Sequence, residues 1–247
     1  MSRSNFAIVC EALADKATAS GFANNLLSSR LNATTEQLDA RRFWQGLDIG
    51  DGFLAWKSVP VLAKENRIKS HGHFDGCPGA HDAFAARRVL LLFRARATLP
   101  AAILLIRDDD GVSERRRGLE QARSSIKLTI PVVVGVATTK RECWVLAGFD
   151  PLDKEEEKLL GNARKELGFS PIEKAHKLTA KHDRDKKSAK RILTLLTRGK
   201  PEREALCWES SKIEDLFKRG EESGLKSYLE EIRDKVLPLF AGGKASG

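Results

Sequence analysis

Long apolar runs are missing from this sequence, and cysteine is sparse and scattered. No stretch reaches the roughly 18 apolar residues that a helix needs to cross a bilayer, so no membrane-spanning helix is expected. The segment from Met1 to Asn5 leads into a short apolar run that Glu11 stops, too brief for the apolar region of a secretory signal. Cytoplasmic residence is the expectation. Cys10, Cys77, Cys143 and Cys207 lie far apart and form no CxxC pair, which argues against a disulfide framework. Cys10 and Cys143 stand in apolar segments, where a free thiol packs as a small hydrophobe.

Negative charge is in the minority. Lys and Arg number 43 against 34 Asp and Glu, a net charge of +9 that favours an anionic partner, nucleic acid first among them. The apolar residues, 41% of the chain, recur in blocks, so a packed core is expected. A chain of 247 residues suffices for one large domain or a core domain with an appendage.

The blocks alternate in type through residue 150. Phe6-Ala7-Ile8-Val9-Cys10, Ala101 to Ile106 and Pro131 to Ala137 are continuous apolar runs of strand length, suited to strands buried on both faces. A weaker strand candidate surrounds Phe53-Leu54-Ala55-Trp56. Between them, Ala19, Phe22, Ala23, Leu26 and Leu27 recur at helical spacing, as do Phe84, Arg88, Leu91, Leu92 and Ala95. Residues 113–125 read as a basic, exposed helix, and Thr138 or Thr139 would cap the helix that carries Glu142 and Trp144. Strands alternating with helices predict an α/β fold with a parallel sheet flanked by helices. After Phe149-Asp150-Pro151 no strand run follows. Residues 1–150 are thus expected to form the α/β domain, and 151–247 a basic all-α extension. Its last helix should bury Leu225, Tyr228, Leu229, Ile232 and Val236, and Cys207 and Trp208 also read as core.

Two of the buried strands end in acid. The first is followed at once by Glu11, and the Ala101–Ile106 run leads through Arg107 to Asp108, Asp109 and Asp110. Ligands of parallel α/β sheets sit beyond the carboxyl ends of the strands. If the two strands are neighbours, Glu11, Asp108 and Asp110 converge there. Hard oxygen donors at that spacing suit Mg²⁺ or Mn²⁺, and a cation relieves the mutual repulsion of crowded carboxylates. The Asp run also fits a plain polar turn with an aspartate capping the next helix.

An apolar strand ending in Glu, a helix, and a later apolar strand ending in Asp-x-Asp resembles the Toprim domain of primases, topoisomerases and small nucleases. The likeness spans about residues 5–150. It implies a Toprim-like, metal-dependent nuclease that hydrolyses phosphodiester bonds in DNA or RNA, similar to nucleases of the overcoming-lysogenisation-defect group. By this resemblance Glu11 is the proton-transfer residue, and Asp108 and Asp110 bind the metal. The family's glutamate is usually followed by glycine, whereas here it is followed by Ala12. Val132 to Gly148, with Glu142-Cys143-Trp144, also resembles a small Toprim-like family and adds Glu142 to the metal set; an ion-paired helix glutamate is the plainer alternative. Work beside an ABC- or SMC-type ATPase in antiphage defence is a further implication. No GxxxxGK[ST] loop occurs, so that ATPase would be a separate chain.

Arg115, Arg116 and Arg117 follow the Asp turn and are candidates for holding a phosphate backbone. Lys177, Lys181, Arg184, Lys187 and Arg191 fall near one face if residues 174–191 are helical, giving a second candidate nucleic-acid surface. Both sets also fit solvated helix faces. His71, His73, Cys77 and His81 bunch in a Gly-rich loop. They read either as zinc ligands or as part of an active-site loop before a helix N-terminus. A non-catalytic adaptor on a degenerate Toprim-like scaffold is the main alternative to the nuclease. Phosphoryl transfer to a small molecule is a third reading, which a closed nucleotide pocket in place of an open basic groove would favour.

Overall fold

The computed structural model describes residues 3–69 and 73–241. The chain forms an α/β fold in which a five-stranded parallel sheet lies between layers of helices. The strands are β1 (Ser4–Cys10), β2 (Arg42–Gln45), β3 (Leu54–Ala55), β4 (Ala102–Asp108) and β5 (Val132–Ala137). One edge of β1 pairs with β4, and β5 lies outside β4. The other edge pairs first with β2 and then, near its end, with β3. The two strands that end in acid are therefore neighbours.

The strand runs are apolar throughout because both faces are covered. Alternate residues divide between two cores: Phe6, Ile8 and Cys10 of β1 enter one, Ala7 and Val9 the other. On the second face pack α3 (Val59–Glu65), α4 (Ala80–Arg94) and α5 (Arg115–Ser125). On the first lie α1 (Leu13–Leu31), α2 (Thr35–Arg41) and α6 (Arg141–Ala147). They are joined there by α7 (Lys154–Leu167), α8 (Ala189–Thr197), α9 (Pro201–Glu209), α10 (Ile213–Arg219) and α11 (Leu225–Glu231). A π-helical turn at Ile232–Val236 and the short α12 (Pro238–Ala241) follow.

Residues beyond 150 share a core with the sheet. The ring of Tyr228 stacks on Trp144 with centroids 4.9 Å apart, and its hydroxyl donates to the Ala19 carbonyl at 2.8 Å. Gly135 in β5 leaves room for this stack, since a Cβ there would lie 2.8 Å from the Tyr228 ring. Leu225, Leu229, Ile232 and Val236 are buried, as their spacing predicts, and so are Cys207 and Trp208. No described helix is long and apolar enough to cross a membrane.

β2, α2 and α3 have no counterpart in the sequence expectations. β2, with Arg-Phe-Trp-Gln, lacks an apolar run and owes its place to edge pairing with β1. Its Arg42 is fully buried, with its guanidinium 4.9 Å from the Trp44 ring centroid and a donor to Asn24. α2 is short but carries a capping box, in which Thr34 and Gln37 each accept from the other's backbone amide.

Candidate functional site

The β1–β4 register runs from Phe6 opposite Ala102 to Val9 opposite Leu105. Continued past Val9, it sets Glu11 beside Arg107, so both acid-bearing ends open on one edge of the sheet. The side chains there form two groups.

The first is a line of alternating charge. Glu11, half-exposed, lies 3.3 Å from Arg107 Nη2. Arg107 rests on the Trp56 ring, 5.0 Å from its centroid, while Trp56 Nε1 donates to the Ile106 carbonyl at 2.8 Å. Arg107 Nη1 is 3.1 Å from Asp82 Oδ1, and Arg115 Nε is 3.4 Å from the same oxygen. Arg115 Nη1 then donates to Asp110 Oδ2 at 2.8 Å and to the Asp108 carbonyl. Asp82 is buried on α4, where a carboxylate needs paired cations to stay charged. It stands beside Arg115 because α4 and α5 meet through glycines: a Cβ at Gly118 would come within 2.3 Å of the Gly79 carbonyl oxygen.

The second group surrounds Asp108. Its Oδ1 accepts the Arg141 amide at 2.7 Å, so this aspartate caps α6 from the neighbouring strand. The expected cap from Thr138 or Thr139 does not form. The Thr139 hydroxyl instead donates to the Leu178 carbonyl at 2.9 Å, and Lys140 occupies the cap position without a side-chain bond. Burial, and then the charges of Asp15 and Glu142, push the Asp108 carboxyl up to about 8. Asp110 adds to this, while the Arg141 amide opposes it. Burial also raises Asp15, with Glu11 contributing and the Ala12 amide opposing. Arg141 lies among these acids, 3.9 Å from Asp15, 3.6 Å from Glu142 and bonded to Glu204.

The structure thus brings Asp15, Glu142 and Asp110 within electrostatic range of Asp108, and links Glu11 to Asp110 through Arg107, Asp82 and Arg115. Among the described residues, no group of three or more His, Cys, Asp or Glu side chains is already disposed to hold a metal ion. His71 lies outside the described residues. His73, Cys77 and His81 are exposed, and His73 Nε2 lies 3.0 Å from Arg87 Nη2.

The basic candidates divide as well. Arg115 is committed to Asp82 and Asp110, Arg116 pairs with Glu120 at 3.2 Å, and Arg117, mostly exposed, lies 3.8 Å from Glu114. The helical face expected over 174–191 is absent. A 3₁₀ turn at Ala175–Lys177 gives way to turns that close through Asp185 N to His182 O and Ser188 N to Asp185 O. Asp and Ser favour such turns, and the Ser188 hydroxyl then caps α8. Lys177, Lys181, Arg184 and Lys187 are exposed on this segment, while Arg191 in α8 pairs with Glu166 at 3.0 Å.

A cleft of about 810 Å³ opens beside Glu11 and Arg107, between the end of the sheet and helices α3 and α4. Its participants Lys57 and Trp56, like Asp82, Arg107 and Arg141 at the site, were not singled out by sequence. Asp82 does carry a signal. It stands four residues before Ala86 and seven before Val89, a lone acid on the apolar stripe of a helix. No protein-family model, curated protein or solved structure matches the chain.

Proposed function

We propose that this chain is a Mg²⁺- or Mn²⁺-dependent phosphodiesterase of the Toprim-like type, acting on nucleic acid. The observation that carries the reading is the pairing of β1 with β4, which sets Glu11, Asp108 and Asp110 at one end of the sheet, with Glu11 lining a cleft there. The donors suit a hard divalent ion: they are carboxylate oxygens, and Asp108, raised by burial and then by the charges of Asp15 and Glu142, is a group whose ionised form a cation would favour. Asp108 and Asp110 would hold the metal, with Glu142 close by. A metal held there supplies Lewis-acid polarisation of a phosphate oxygen and a more acidic bound water.

The chain's own residues supply the rest. Glu11 faces the cleft and can take a proton from the attacking water. Arg107 and Arg115 pair with Glu11 and Asp110, and a phosphate would offer both guanidiniums a replacement partner. On this reading Asp110, now paired with Arg115, would be a ligand for the ion, and Arg107 and Arg115 would turn to the phosphate.

The test is cleavage of single- and double-stranded DNA and RNA with Mg²⁺ or Mn²⁺. Glu11→Gln and Asp108→Asn should each lower the rate by roughly 100-fold or more, the usual scale for a lost proton-transfer group or metal ligand. Equal rates in all three proteins would refute the assignment. The existing Arg107–Glu11 and Arg115–Asp110 pairs favour one other reading, a non-catalytic nucleic-acid or partner-binding adaptor. In that case divalent ions would leave the melting temperature unchanged.

A further inference from the structure

We propose that the cleft beside Glu11 is a binding site for a single nucleoside phosphate unit, with the ring against its apolar wall and the phosphate toward its cations. The ring side is built by Val59 and Pro60 of α3 and by Phe84 and Ala85 of α4, with Trp56 at the base. Phe84 is held edge-on by buried Phe74, with centroids 5.4 Å apart, so this wall is fixed by packing. The same lining carries three cations, Lys57, Arg88 and Arg107, alongside the acids Glu11 and Asp75. Lys57 is exposed, and Arg107 is anchored by Trp56 and Asp82. An apolar wall and cations lining one cleft complement a planar base joined to an anion.

Size narrows the class. About 810 Å³ lies within the range of small-ligand pockets, room for one nucleotide unit but not for a base-paired duplex. The cleft also reaches Glu11, so a phosphate seated on Arg107 lies next to the carboxylate to which proton transfer is assigned. The substrate class follows: a free mononucleotide or an unpaired nucleotide of a single strand, but not intact duplex. In naming a substrate this rests on the phosphodiesterase reading. Occupancy of the cleft itself does not.

The test measures binding to the full chain in EDTA by titration calorimetry. The probes are AMP, UMP, a short oligothymidylate and a blunt duplex. The mononucleotides should bind and the duplex should not compete. Binding of the oligothymidylate far tighter than UMP assigns the site to strand ends, and equal affinity assigns it to free nucleotides. Lys57→Glu should weaken binding about tenfold or more, the scale of one hydrogen bond to a charged group. Ala85→Phe should fill the cleft and abolish binding. Because Ala85 is only half-exposed, Pro60→Phe at the exposed rim serves as a second block, with thermal melting confirming that each variant is folded. Absence of binding at millimolar mononucleotide and oligothymidylate overturns the proposal, as does binding that all three folded variants retain. A Mg²⁺-dependent melting shift without nucleotide binding would leave the metal reading standing and remove this one. Nucleotide binding without a Mg²⁺ effect would do the reverse.

Discussion

Asp108 shows how one side chain can serve two demands. Its carboxylate caps α6 through the Arg141 amide, yet burial and the charges of Asp15 and Glu142 resist its ionisation. The sign of the consequence is fixed. The folded-state value, about 8, lies above the ordinary 3.8, so between those limits the native state keeps a proton that the unfolded chain has released. Stability from this group is greatest at low pH and declines as pH rises toward about 8. Asp108→Asn should therefore raise the melting temperature in EDTA at pH 8 relative to wild type, and narrow the difference at pH 5. The same substitution should abolish any Mg²⁺-induced stabilisation, which must itself grow with pH because ligation requires the deprotonated carboxylate. A variant less stable than wild type at high pH would contradict the assignment. Asp82 answers to the opposite logic. It is the shared partner of Arg107 and Arg115, and Asp82→Ala leaves two guanidiniums facing a buried gap. A loss of about 3–5 kcal/mol in denaturant unfolding is expected, as for other broken buried ion pairs.

At the scale of elements, small features decide which helices can approach. Gly118→Ala places a methyl group against the Gly79 carbonyl, a backbone atom that cannot swing aside. The α4–α5 contact must open, at a cost of about 1–3 kcal/mol by urea denaturation, as for other overpacked contacts. Arg115 should move away from Asp82 with it. On the opposite face, α9 is tied to α7 by Arg203, whose Nε and Nη2 reach Glu156 at 2.7 and 2.8 Å. Those bonds hold the Glu156 carboxyl below its usual 4.5. The stabilisation is thus complete above that value and is lost as pH falls through the depressed one. Glu156→Gln should flatten acid unfolding below pH 4.5 while costing stability at neutral pH. The long strands were legible because burial on both faces makes them continuous apolar runs, and the stripes of α1 and α11 because burial repeats at the helical period. β2 was not, because a short edge strand with Arg42 and Gln45 inward has no apolar signature. The 174–188 segment misled because its lysines recur at helical spacing, while Asp183, Asp185 and Ser188 close turns that the charge pattern ignores. Of the site, the strand-end acids were visible. Their arginine partners were not, since which cation meets which acid depends on strand order and helix crossing.

For the whole molecule, the shared core determines how far the α/β part can stand alone. The division at residue 150 follows composition, but the packing runs across it. Phe6, Ile8, Leu104 and Val133 lie in the same core as Leu160, Leu193, Leu225 and Tyr228. Polar contacts cross it too: Glu231 accepts from the Val134 amide at 2.9 Å and pairs with Arg123 at 2.8 Å. Removing residues 151–247 would leave α1, α2 and α6 alone on one face of a parallel sheet and expose the core they share with the C-terminal helices, and such sheets persist only with both faces covered. A chain ending at Asp150 should therefore lose its cooperative urea transition and bind a hydrophobic dye as a collapsed state does. If that fragment instead unfolds cooperatively with a sloped, native-like transition, the C-terminal helices are an appendage and the sheet has a sufficient core of its own. The outcome also bears on the site. Glu204 on α9 bonds to Arg141, which in turn borders Asp15, Glu142 and Asp108. Full-length Glu204→Gln, which keeps the fold but weakens this hold, should shift the pH at which Mg²⁺ stabilises the protein. An unchanged pH midpoint would mean that Arg141 is fixed by its 3.0 Å bond to the Thr18 hydroxyl and by its own amide on Asp108, and that the helical face supports the sheet without tuning the acids.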